Sequence, residues 1–290
     1  VQFMAGLSSQ GSAANTDIGG GVVTSSSGAA TLVVNGNTNF GGVIDNANTI
    51  YLNKTGTGAL NFTAAQSYTG ATLITGGTMT LVDGGTLLNT PSIGINFGSL
   101  TLTNTGIQDL ANRVSDTAAI TMKAGNISFN GRAQGNSTET LGAVTMQEGF
   151  NTIFSTAGGT GINSAILTLG SLTRSVGSTA TLRFNNLAQL GTIGSVAGVK
   201  VTSAPTLTNN ILGPWAIVDR EWASYDPTYG IGGLNANGFA GYSVNSITGS
   251  PTGTDNIRFA LAGTTTLAAN TTVGTLNFGQ QAAATVLNLG

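Results

Sequence analysis

The 290-residue sequence predicts an all-β chain wound as a single-stranded parallel β-helix, right-handed by precedent, with one irregular insertion. Three observations carry this expectation. Apolar residues at two alternate positions repeatedly flank a polar one, as in Leu60-Asn61-Phe62, Met79-Thr80-Leu81, Leu100-Thr101-Leu102, Ile127-Ser128-Phe129 and Leu182-Arg183-Phe184. That period of two marks a strand buried on one face. Similar strands return at near-constant spacing, from Leu60 to Met79, Met79 to Leu100, Leu100 to Ile120 and Ile257 to Leu276. A strand returning every twenty residues or so is the mark of stacked repeats. Composition agrees, with 44 Gly, 45 Thr and 28 Asn. Thr packs well on a pleated surface, and Gly and Asn tolerate the positive φ of tight corners.

Antiparallel hairpins remain open at this point, because Asn35-Gly36, Asp83-Gly84, Asn130-Gly131 and Asn237-Gly238 are tight-turn dipeptides. Short strands at regular intervals favour the coil. At about 20 residues per coil and ~4.8 Å per stacked strand, the chain makes roughly 14 coils in a rod on the order of 65 Å long. Leu, Ile, Val, Phe and Met face inward in apolar ladders, and corner Asn residues stack as amide ladders.

In chain order, residues 1–30 are rich in Gly, Ser and Ala and read as a flexible or irregular first coil. Residues 31–290 read as the coiled body, with corners at Gly41-Gly42, Gly76-Gly77, Gly84-Gly85 and Gly158-Gly159. One short helical turn is expected over residues 107–115, where Ile107, Leu110, Ala111 and Val114 have helical spacing. The texture changes at 205–254, which holds both Trp, four of five Pro including Pro251 and three of five Tyr. This stretch reads as an excursion from the coil, and the strand grammar resumes at Asp255.

The charge balance excludes some functions. Nine Lys and Arg against eleven Asp and Glu give a net charge of −2, with no basic cluster of the kind nucleic-acid binding needs. Cys is absent, so no disulfide or thiolate metal site forms. No run approaches the ~20 apolar residues of a membrane helix. Val1 onward shows no signal-peptide pattern, so the sequence reads as a mature unit or a fragment of something longer.

Without His or Cys, the commonest acid/base and nucleophilic arrangements are missing. The densest acidic group is Asp219, Glu221 and Asp226 beside Arg220. As a glycosidase pair or a calcium site it competes with a solvated, loop-stabilising role, and the latter is favoured. Trp215, Trp222, Tyr225 and Tyr229 read either as an interaction patch for sugars or a partner chain, or as a small satellite core. Gly56-x-Gly58 is a corner, since no phosphate-binding helix follows. No catalytic residue, metal ligand or cofactor is expected.

One stretch is more specific. Lys54-Thr55-Gly56-Thr57-Gly58-Ala59-Leu60-Asn61-Phe62, then Tyr68-Thr69-Gly70, then Gly77-Thr78-Met79-Thr80-Leu81 resembles the autotransporter-associated β-strand repeat. Ala59 stands where that repeat usually has Thr, and Met79 where it usually has Leu. Asp255 to Phe259 and Thr271 to Phe278 resemble material common in the long bacterial surface proteins that carry the repeat. The resemblance implies a secreted or surface-displayed bacterial β-helix used as a stalk, fibre or adhesin.

The leading expectation is a non-enzymatic building block of an extracellular filament or surface layer, self-associating head to tail through open strand edges. The residues expected at the joining edges are Leu276, Phe278, Leu287 and Leu289. An adhesin presenting 205–254 to a glycan or host surface is the alternative, and a polysaccharide-active enzyme the third reading.

Overall fold

The computed structural model describes residues 1–4, 21–159, 161, 163–185, 195–243, 251–259, 263–266, 271–278 and 285–288. It is all-β, with no helix among the described residues and two large sheets. The first sheet has nine strands, from Gln2–Met4 through Ala30–Asn35, Ile50–Thr55, Thr72–Ile74, Ser92–Asn96, Ala119–Lys123, Asn136–Glu148 and Asn163–Arg174 to Ser195–Val201. Every pairing in it is parallel. The second sheet begins at Thr38–Phe40 and runs through Ala59–Phe62, Thr78–Leu81, Ser99–Thr103, Asn126–Asn130, Phe150–Thr156 and Thr181–Asn185 to Ala216–Val218, again in parallel.

Strands of the two sheets alternate along the chain, so each circuit visits one sheet, turns, and visits the other. Short pairs, Val22–Val23 with Val43–Ile44 and Ala65–Gln66 with Thr86–Leu87, line a third side. This path is consistent with the coil expected from the repeat spacing. Gln2–Met4 and Val22–Val23 pair in register with the circuit that follows, so these parts of the 1–30 stretch are regular strand; residues 5–20 lie outside the described residues.

Like stacks on like. In the second sheet Leu60, Met79, Leu100, Ile127, Ile153, Phe184 and Val218 form one inward ladder, and all but Val218 are essentially unexposed. Phe40, Phe62, Leu81, Leu102 and Phe129 form a second. The first sheet contributes Ile74, Ile95, Met122 and Met146 from the opposite wall. These ladders belong to one continuous core. On the outer face Asn61 Nδ2 donates to Asn39 Oδ1 at 2.7 Å, an amide step between register neighbours on a strand rather than at a corner.

The repeat-like segment has a physical explanation. Tyr68 is buried, and its hydroxyl lies 2.6 Å from Thr72 Oγ1, which reaches Thr90 Oγ1 at 3.2 Å. A Cβ on Gly70 would fall 2.2 Å from the Ile50 carbonyl oxygen of the preceding circuit, so only glycine fits. Gln66, also buried, accepts from Ile44 N and donates to Gly42 O, stitching adjacent circuits where a strand is too short to do so.

Three expectations are corrected. Leu100 pairs with Ile127, while Ile120 belongs to the first sheet opposite Ile93; the even step from Leu100 to Ile120 joined strands of different sheets. Later circuits lengthen, with successive rungs at Ile127, Ile153, Phe184 and Val218 and each gap wider than the one before. Among the described residues the first sheet holds nine strands over residues 2–201, where even twenty-residue steps would place about ten. No helical turn forms at 107–115. Ile107 and Ala111 are exposed and Val114 is buried, so the helical stripe has no common face to bury, and the Gln108 and Leu110 carbonyls accept side-chain hydrogen bonds instead.

Candidate functional site

The 205–254 excursion interrupts the parallel stacking. Ala216–Val218 still pairs in parallel with Thr181–Asn185, but the chain then reverses at Asp219-Arg220 into Glu221–Asp226, which runs antiparallel to it. A second reversal leads to Gly230–Gly233. Asp219 takes a φ of 53°, which Asp tolerates better than most side chains. Asp226 Oδ1 accepts the N–H groups of Thr228 and Tyr229 and fixes the second turn.

The three acidic residues of this stretch are held separately. Asp219 lies 3.7 Å from Arg183, and Glu221 pairs with Arg258 at 2.9 Å while accepting from the Tyr242 hydroxyl at 2.7 Å. Asp226 is engaged in its turn. Tyr242 donates to Glu221 and receives Asn277 Nδ2 at 2.9 Å; Asn277 also donates to the Arg220 carbonyl. Burial and the neighbouring Glu221 carboxylate together push the Tyr242 hydroxyl upward from its usual range. The chemistry of this group is anchoring: it ties strand Thr275–Phe278 to the hairpin below it. No cluster of three or more metal-ligating side chains occurs among the described residues.

The four aromatic residues singled out from sequence do not form one platform, and no two of their rings are in contact among the described residues. Trp215 packs partly against the core with the Arg174 guanidinium 5.8 Å above its ring, beside an open groove of about 580 Å³. Tyr225 also packs on the core, donating its hydroxyl to the Val201 carbonyl at 3.0 Å. Tyr229 sits against Phe239, ring centroids 6.3 Å apart. Trp222 is half-buried, and its indole N–H is buried without a hydrogen-bond partner.

At the expected joining edges, Thr275–Phe278 pairs with Asn256–Phe259, and Thr285–Asn288 with Gly263–Thr266. Phe278 packs at a tilt of 55° against buried Phe259, centroids 5.6 Å apart, and is itself 53% exposed. Leu276 and Leu287 pack partly against Ile257 and Phe259. Leu289 lies outside the described residues. Asn277, between Leu276 and Phe278, is buried, and its amide reaches the Arg220 carbonyl and Tyr242 across the joint.

Sequence reasoning missed a set of buried charges. Arg113 is fully enclosed, donating Nη1 to the carbonyls of Asp83 and Gly85 at 3.0 Å each, Nε to Asn104 Oδ1 at 2.8 Å and Nη2 to the Gln108 carbonyl at 3.3 Å. Glu139, equally buried, accepts the backbone N–H groups of Arg113 and Val114 at 2.9 and 3.0 Å. Burial pushes the Glu139 carboxyl up to about 7, against the pull of those N–H groups and of the Arg113 guanidinium. Lys54 occupies an inward rung between Val34 and Ile74, its ammonium donating to the Thr55 carbonyl at 2.6 Å, and burial lowers its pKa. A signal for two of these existed: alternation from Leu52 makes Lys54 inward, and alternation back from Leu141 makes Glu139 inward.

Compared with family models, with curated proteins and with solved structures, the chain matches none of them.

Proposed function

We propose that the two parallel sheets and their third side are the walls of a right-handed, single-stranded β-helix of the autotransporter-associated repeat type. In this reading the protein is a non-enzymatic structural unit of an extracellular bacterial filament or surface layer. What supports the fold reading is the in-register parallel ladder of the second sheet, together with the Tyr68–Thr72–Thr90 corner and the close approach that Gly70 permits.

The observation that carries the functional reading lies at the outermost strands. Phe278 repeats the inward position of Phe259 yet is half exposed, and at the opposite limit Gln2–Met4 forms the edge of the first sheet with Phe3 79% exposed. A strand edge with no partner among the described residues, carrying apolar side chains, is a template for another strand. A next circuit, whether from a longer chain or from a second copy, would bury Phe278 as Phe278 helps to bury Phe259. Joining unlike edges head to tail generates an open fibre.

Electron microscopy and light scattering of the purified chain at rising concentration test this. Rods that grow end to end, and are shortened by Phe278→Lys, are expected. Particles of one size at every concentration, unchanged by that substitution, overturn the assembly reading.

A further inference from the structure

At the corner where the first sheet hands over to the second, five successive circuits place a residue at positive φ: Gly56 at 69°, Gly77 at 61°, Phe97 at 58°, Ala124 at 47° and Gly149 at 68°. Glycine adopts this conformation freely, whereas a bulky side chain there is strained. Burial does not compensate Phe97, which is 71% exposed. Two circuits on, at the same corner, Phe150 is 54% exposed. It is an extra residue: Lys123 pairs with Glu148 and Asn126 with Thr152, so the later corner is one residue longer. Neighbouring Asn151 is buried and holds that bulge rigid, accepting from Gly125 N and donating to carbonyls of Glu148, Gly149 and Thr181.

The two rings therefore stand about 9.6 Å apart along the stack, twice the strand spacing. Between them a groove of about 410 Å³ is floored by Ala124 and the backbone of Gly98 and Gly125. Its other bank is a register ladder, Thr78, Ser99, Asn126 and Thr152, one half-exposed polar side chain per circuit. Thr152 Oγ1 donates to Asn126 Oδ1 at 2.6 Å. The Asn126 amide N–H groups and the hydroxyls of Thr78 and Ser99 have no protein partner among the described residues. No charged residue lines the groove.

We propose that this groove binds a neutral glycan lying along the stack, with pyranose faces on Phe97 and Phe150 and hydroxyls on Ser99 and Asn126. A pyranose ring offers an apolar C–H face and a rim of hydroxyls, which matches aromatic platforms beside an uncharged row of donors and acceptors. Two circuits span about the length of a disaccharide. An acidic polymer would shed hydration here without meeting a cation, and an apolar peptide face would leave the polar ladder unpaired. Positioning by a rigid corner, with a strained aromatic held outward, is the preorganisation such a shallow site needs. The site does not depend on the fibre reading.

The test is calorimetric titration of the full chain with neutral hexasaccharides (β-1,4-glucose, β-1,3-glucose and β-1,4-N-acetylglucosamine) and with a hexagalacturonate. At least one neutral oligosaccharide binds, and the acidic one does not. Phe97→Gly and Phe150→Ala each weaken binding at least tenfold, and Phe97→Gly leaves Tm unchanged or raised because it relieves the corner. No neutral ligand bound at millimolar concentration, equal binding of the acidic hexamer, or affinity indifferent to both substitutions overturns the proposal. So does a fall in Tm with Phe97→Gly, or a change of oligomeric state on Phe97→Gly without loss of glycan binding, which would make the corner a contact between copies.

Discussion

The circuits between Ile50 and Leu102 and those between Asn104 and Phe184, which open with the long connection before Ala119, solve the same packing problem with different amounts of chain. In the earlier set the partners Leu60, Met79 and Leu100 follow one another at almost even steps, and the inward rungs of the second sheet are entirely apolar. In the later set the partners Ile127, Ile153 and Phe184 stand much further apart in sequence, and the second sheet's inward positions include Asn151 and Ser155. In the first sheet the earlier set buries Lys54 and Thr72 and the later set Glu139. Ser155 pairs with Phe129 in register and donates to the Ala165 carbonyl at 2.8 Å. Stacked strands satisfy their backbones through one another. Extra chain between strands brings carbonyls and N–H groups that no ladder reaches, and buried side chains must meet them. Asn151 does this for three carbonyls, and Arg113, in the long connection before Ala119, for the Gln108 carbonyl of that connection and for those of Asp83 and Gly85 in the circuit before it.

The sharpest way to break the regular set is a charge in its core. Leu102→Asp should cost about 5 kcal/mol or more and unfold the neighbouring circuits, because no partner lies within the apolar ladder. Thr101→Glu, one residue away on the outer face, should change stability by less than about 0.5 kcal/mol. Chemical denaturation of both variants measures the contrast, and equal damage would mean the facing of this strand is misassigned.

Next in size is the expanded set. Arg113→Met should cost about 3–5 kcal/mol, since it strands the buried Asp83 and Gly85 carbonyls and leaves the Asn104 side-chain oxygen only the longer Leu110 N–H bond, while keeping most of the side-chain volume. Hydrogen exchange should show the loss concentrated at 104–115 with 59–81 still protected; uniform loss would contradict the comparison.

The Glu139 carboxyl offers a pH probe. Its folded pKa, raised to about 7 from an ordinary 4.5, means the folded state holds a proton that the unfolded state has released between those values. Stability is then greatest below about pH 4.5, falls as pH rises through 7 and levels off above, by about 3 kcal/mol in all. Glu139→Gln should flatten the profile of Tm against pH; a profile unchanged by the substitution would assign the dependence elsewhere.

Smallest, and opposite in sign, is Lys54→Met in the regular set. It exchanges a desolvated ammonium with one hydrogen bond for an apolar rung, and should stabilise by about 1 kcal/mol. Because burial lowers the Lys54 pKa, unfolding takes up a proton, and stability rises with pH on the alkaline side; the Met variant should lose that rise. A loss of stability at neutral pH would show that the Thr55 carbonyl bond outweighs the desolvation.

The regular set was the legible part. Period-two strands from Leu60 to Leu102 appear where alternation places them, since each short strand leaves one apolar face and stacking repeats it. The lengthened circuits were not legible, because the Ile120 and Ile127 strands have the same pattern and spacing alone chose the wrong one. Arg113 escaped notice because arginine is almost never fully buried unless paired, and its acceptors lie at 83, 85 and 104, far from it in sequence. Phe97 escaped for another reason: an apolar residue before Gly98 reads as a strand end, and only the backbone shows it turned outward at positive φ. For the aromatic group at 205–254, which rings pack on the core depends on the two chain reversals after Val218, which composition does not show.

The scarcity of charge has a consequence for the surroundings such a stack can endure. The described residues hold two ion pairs, one of them largely open to water, and only 7% of the sequence is charged. The distance over which dissolved ions let charges feel one another shrinks from ~30 Å at ~0.01 M to ~3 Å at ~1 M. A fold whose cohesion owes so little to that force has almost nothing to lose between rainwater and brine.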